Sequence, residues 1–81
     1  MKKTLAQRLE LYRLLYEEMA RSTPVDLAEW QEICTDTQNR IRAELGSLKG
    51  SWARFAELMQ LANGFARLGL HARAAARRAA A

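Results

Sequence analysis

Two short interruptions decide what this chain can become. "RSTPVDLAEW" (21–30) and "GSLKGS" (46–51) gather Ser, Thr, Pro, Asp and Gly between longer stretches whose apolar residues recur every three or four positions. Such clusters punctuate helices, and no stretch alternates apolar and polar residues as a half-buried strand would. The spacing predicts an all-α fold, a small antiparallel three-helix bundle forming a single helical domain over 1–81. Helix 1 is expected over about 5–20 and helix 2 over about 24–45. Helix 3 spans about 52–68, then either continues or turns into 71–80.

Each helix carries its own start signal. Thr4 and Gln7 have the spacing of a capping box, and Leu5, Leu9, Tyr12, Tyr16 and Met19 share one face of helix 1. Leu11, Leu14 and Leu15 fall beside that stripe, while Glu10, Arg13 and Glu17 can pair on the opposite side. Thr23 as N-cap and Pro24 as first helical residue predict the start of helix 2. Its stripe is Leu27, Trp30, Cys34, Thr37, Ile41 and Leu45, with Ile33 beside it. Gly46 suits a C-cap and Ser51 an N-cap. Helix 3 is apolar on two sides: Trp52, Phe55, Ala56, Met59 and Ala62 form one row, Leu58, Leu61, Phe65 and Leu68 another. A helix of this kind lies between other helices or at an interface.

Charge is distributed unevenly. The net +4 comes from 13 basic and 9 acidic residues, yet the chain is balanced through Glu57. Beyond it stand Arg67, Arg73, Arg77 and Arg78 with no acid, so the whole excess belongs to the last part of helix 3. The lone thiol, Cys34, cannot form an internal disulfide. "MKKTLAQRLELYRLL" interrupts any signal-peptide-like apolar run with Arg8, Glu10 and Arg13. No segment reaches the roughly 18 apolar residues of a membrane span. These features lead us to expect a cytoplasmic protein with a thin core, for which oligomerisation is a common supplement.

From Leu58 onward, the spacing of Leu58, Leu61, Ala62, Phe65, Leu68-Gly69, His71 and Ala74 resembles one tetratricopeptide (TPR) helix–turn–helix unit over 58–81. The resemblance implies a turn at Leu68-Gly69-Leu70 and close helix approach at Ala62 and Ala74. It also places Asn63 and Arg67 where that family's first helix faces its ligand groove. Arg78 stands where the family usually has a large aromatic. Without the turn, the Ala/Arg segment extends helix 3. In a symmetric hairpin about 46–51, facing residues sum to about 97, so that Arg40 meets Glu57 and Trp30 lies near Arg67. Residues beyond about Arg73 would then overhang the start of helix 2 and fray.

Chemistry finds little footing in these residues. His71 and Cys34 are single, and the hairpin register sets them several turns apart. No C-x-x-C or H-E-x-x-H spacing suggests a metal site. Glu29, Glu32 and Asp36 read as a solvated, dipole-favoured surface. The expectation is a non-catalytic protein–protein interaction module without cofactor, metal, membrane or small-molecule substrate. It would act as an adaptor, a chaperone-like protein or an inhibitor that masks a partner. The expected partner-binding residues are Leu11, Leu14, Leu58, Asn63, Phe65, Arg67, Arg73, Arg77 and Arg78. The partner is another protein or a second copy, a homodimer pairing the acidic half of helix 2 with the Arg-rich end. The alternative is a nucleic-acid-binding accessory protein that uses the basic C-terminal helix.

Overall fold

Thr4 opens α1 (Leu5–Arg21) in the computed structural model, which describes residues 2–48, 50 and 52–80. Its hydroxyl accepts from the Gln7 amide at 3.2 Å, and Gln7 Oε1 accepts from the Thr4 amide at 2.8 Å, completing the expected capping box. Ser22 closes the helix by donating to the Glu18 carbonyl at 2.7 Å. α2 spans Leu27–Ser47 and α3 Trp52–Ala80. Among the described residues no helix is long and apolar enough to cross a membrane.

Two boundaries differ from expectation, and a third, for which the sequence left two alternatives, takes the continuing one. Asp26, not Thr23, caps α2: its carboxylate accepts from the Glu29 amide at 3.1 Å, and Pro24 stays outside the helix. A carboxylate caps at least as well as a threonine hydroxyl, and this start makes Leu27 the first helical residue. α2 also runs past Leu45 to Ser47, so Gly46 is helical. Leu48 packs its side chain on the core and Gly50 takes the left-handed backbone, φ 75°. Partial burial of Leu48 favours the extra turn, and Gly50 two residues later adopts a positive φ that costs a glycine little. The expected cap at Ser51 lies outside the described residues. Finally, α3 does not turn at Leu68-Gly69-Leu70; it runs unbroken to Ala80.

The hairpin register explains that continuity. A Cβ on Gly69 would lie 3.6 Å from Cys34 Cβ; the symmetric hairpin would have set Asn63 there instead. This shift of about 9 Å draws the alanine-rich segment back alongside α2. Ala72 is buried at 2% exposure and Ala74, Ala75 and Ala76 are half-buried, so the overhang is shorter than expected. Small side chains let the two backbones approach closely, and Trp30 Nε1 donates to the Leu68 carbonyl at 3.3 Å across the gap. Glu57 consequently pairs with Arg54 on its own helix (3.8 Å) rather than meeting Arg40. Arg40 lines the α1–α2 groove near Tyr12 and Asp36.

The core joins Leu9 and Met19 of α1, Cys34 and Ile41 of α2, and Leu58 and Phe65 of α3. α1 runs parallel to α3 and antiparallel to α2. Its Tyr16 ring stands edge-on to Phe65 (centroids 5.7 Å, 75°) and occupies the space left by Gly64, where a Cβ would come within 2.7 Å of it. On the other side, Arg8 clamps Glu44 through Nε (2.5 Å) and Nη2 (3.0 Å), with the Glu44 side chain 13% exposed. That pairing raises the Arg8 pKa, chiefly through its hydrogen bonding to Glu44. The 29-residue α3 sets the long dimension of the molecule, 48 × 23 × 17 Å.

Candidate functional site

α3 has more surface than its neighbours cover. With about 100° per residue, Trp52, Phe55, Met59, Ala62, Ala66, Leu70, Arg73 and Arg77 fall within one band of α3. Its inner edge adjoins α2, where Ala62 packs on the core and Ala66, Leu70 and Arg73 border the α2–α3 groove. Trp52 is 79% exposed and Leu70 59%, with Phe55 and Met59 near two-fifths. Trp52 stacks on Phe55 in the open, centroids 5.5 Å apart and rings 14° from parallel. Ala62 and Ala66 are half-buried and leave the middle of the line low. One helix side therefore begins aromatic, passes through small residues and ends cationic.

The cations are free to act outward. Arg8, Arg13, Arg21 and Arg54 each lie against a carboxylate: Glu44, then Glu10 and Glu17, then Glu18, then Glu57. Glu10 raises the Arg13 pKa, mainly by hydrogen bonding. By contrast, Arg67, Arg73, Arg77 and Arg78 are all exposed and, like Arg40 and Arg42 of α2, form no ion pair among the described residues. Arg77 and Arg78 also sit in the last turn, where the helix dipole favours positive charge. Arg67 borders an open α1–α3 trough of about 590 Å³ with Glu10, Arg13 and Tyr16. Arg73 and Leu70 border the α2–α3 groove with Thr35 and Gln38.

Two expected contact residues are corrected by this geometry. Leu58 and Phe65 are each 0% exposed and form the centre of the core, so they cannot meet a partner. Of the two apolar rows on α3, theirs is the one that faces α1 and α2. Leu11 (47%) and Leu14 (48%) are exposed as expected, but they belong to α1, and Leu11 borders the α1–α2 groove. They do not join the line on α3. Asn63, Arg67, Arg73, Arg77 and Arg78 are exposed along α3.

The exposed apolar residues Trp52, Phe55, Met59 and Leu70 are not among the expected partner-binding residues. A signal for them was present. The Leu58 row continues through Leu68 and Ala72 without a charge, whereas the Trp52 row runs into Arg73 and Arg77. A row that turns charged within one helix faces water for part of its length, and the rigid helix keeps the remainder on that same side.

Cys34 and His71 stand almost level, not several turns apart, because Cys34 lies beside Gly69. Two residues further on, His71 is turned away by about 200° and is exposed. Cys34 is buried, and burial pushes its thiol pKa up. Tyr12 is likewise raised, first by burial and then by Glu44. Among the described residues, no three His, Cys, Asp or Glu side chains converge as metal ligands would. No protein-family model matches the chain, and no curated protein or solved structure gives a significant match.

Proposed function

We propose that the protein is a non-catalytic interaction module that captures and masks another polypeptide on the outer face of α3. The observation that carries this reading is the exposed Trp52–Phe55 stack, in line with Met59, Leu70, Arg73 and Arg77, with the unpaired Arg67 and Arg78 exposed farther round the same helix. Contiguous exposed apolar surface rimmed by polar residues marks an interaction site. Aromatic and arginine side chains are the residue types that dominate binding energy at interfaces. In this mechanism desolvation of Trp52, Phe55 and Met59 supplies affinity, while Arg73, Arg77, Arg78 and Arg67 speed encounter and select orientation. An inert buried thiol and a histidine facing the other way support a non-catalytic role. An unpaired cysteine fits the reducing cytoplasm.

The four unpaired arginines of α3 also favour a second reading, binding to nucleic acid. If all four contacted phosphates of duplex DNA, affinity would fall with salt at a log–log slope near −3.6. The exposed carboxylates Glu29, Glu32 and Asp36, near the same end of the bundle, weigh against it.

A photo-crosslinking residue in place of Asn63, exposed between Met59 and Leu70 on α3, distinguishes the two in the native cell. A discrete polypeptide adduct at position 63, absent when the probe replaces Ala20 on α1, is the expected result. Adducts to nucleic acid alone, or none, would overturn the first reading.

A further inference from the structure

The line on α3 is complementary to itself when reversed. Laid antiparallel on a second copy, Met59 meets the partner's Leu70 and Ala62 meets the partner's Ala66. Phe55 then meets the partner's Arg73, and Trp52 meets the partner's Arg77. These four pairings were not chosen separately: all have their midpoint at residue 64 or between 64 and 65. A single twofold axis therefore satisfies them together, as an isologous dimer requires.

We infer that the occupant of this face is a second copy of the chain, joined by antiparallel pairing of α3 with the partner's α3. The inference rests on the reading of that face as a binding surface and names what binds there. Its physical terms agree. The half-buried alanines at the centre let the two helix axes approach, and the apolar Met59–Leu70 contacts flank them. At each end an arginine lies over an aromatic ring, a cation–π contact that strengthens as water leaves. The opposite orientation would set each arginine beside its own copy. Antiparallel pairing separates the two copies of Arg77 by about 38 Å, several screening lengths at physiological salt.

Area points to a reversible dimer. The exposed apolar side chains and arginine stems of a single helix face place the pair near the lower bound of stable interfaces, about 1,200 Å² in total. Pairing the acidic part of α2 with the arginine end would leave Trp52, Phe55 and Met59 uncovered. The α3 pairing covers both ends of the line at once.

Sedimentation equilibrium on the purified full chain, from low micromolar to near-millimolar concentration, tests the arrangement. The wild type is expected to show a reversible monomer–dimer equilibrium. Met59→Glu and Leu70→Lys, both at exposed positions and checked for unchanged helicity, should each weaken it at least tenfold. Mixing those two variants should restore dimers, because the mixed pair keeps one Met59–Leu70 contact and gains a Glu–Lys pair. Met59→Cys mixed with Leu70→Cys should form an intermolecular disulfide under mild oxidation. Leu70→Cys alone should not, since its two copies would lie about 16 Å apart. A wild type that stays monomeric, or dimers that persist in both variants, would overturn the inference. A monomeric wild type that still gives a foreign-protein adduct at position 63 overturns self-pairing and leaves the binding face intact. Loss of every adduct as well removes both.

Discussion

Phe55 and Phe65 sit ten residues apart on one helix and live in different solvents. Phe65 is wholly buried, edge-on to Tyr16 in the core that Leu9, Ile41 and Leu58 share; Phe55 is 37% exposed, stacked on Trp52 and bordering a shallow groove with Leu48 and Gly50. Neither residue type nor local helix propensity separates them. Their separation around the axis does: one points into the core between α1 and α2, the other toward solvent beside the α2–α3 turn. The inner side of α3 stabilises the monomer, and its outer side carries the surplus from which we argue function. A surplus of this kind adds little to folding, because Trp52 and Met59 still meet water when the chain has folded.

The sharpest way to break that comparison is to truncate both phenylalanines. Phe65→Ala should destabilise by about 3–4 kcal/mol, through lost burial plus the cavity left behind. Phe55→Ala, at a position 37% exposed, should cost clearly less, about 1 kcal/mol. Urea unfolding of the dilute monomer measures both, and equal losses would erase the distinction between the faces.

Two glycines on α3 sharpen it further. Gly64→Ala drives a Cβ into the Tyr16 ring at 2.7 Å and should cost about 1 kcal/mol net, even after the gain in helix propensity. Gly69→Ala meets only an ordinary contact with Cys34 and should stabilise by about 0.5–1 kcal/mol. Thermal unfolding distinguishes the two signs. A destabilised Gly69→Ala would mean that the chain turns there after all.

The smallest effect concerns the buried thiol. Burial raises the folded-state pKa of Cys34 above its ordinary value of 9.0. The unfolded chain therefore releases that proton first. The contribution is complete below pH 9 and is lost as pH rises through the folded-state value. Wild-type stability should fall more steeply above pH 9 than that of Cys34→Ala, as read from urea midpoints across that range.

Much of the fold was legible because helix signals are local. Thr4 and Gln7 cap α1 as their spacing implies, Trp52 begins α3, and the stripes of α1 and α2 are the residues that pack inward. The candidate site was legible in part. The arginines and Asn63 are exposed, but Leu58 and Phe65, expected to meet a partner, belong to the core, and the exposed Trp52 and Met59 are not among the expected partner-binding residues. Both apolar rows on α3 have helical period, and period alone cannot say which row other helices cover.

The order of residues thus determined three helices, their apolar stripes and the cationic end of the last one. Each depends on contacts within about four residues, which the chain makes wherever it goes. Tertiary structure alone decided the register that seats Gly69 against Cys34, the unbroken run of α3 past that glycine, and the row left facing outward. Those depend on how side chains far apart in sequence fit together, above all Tyr16 over Gly64 and the alanines that let α3 lie close along α2.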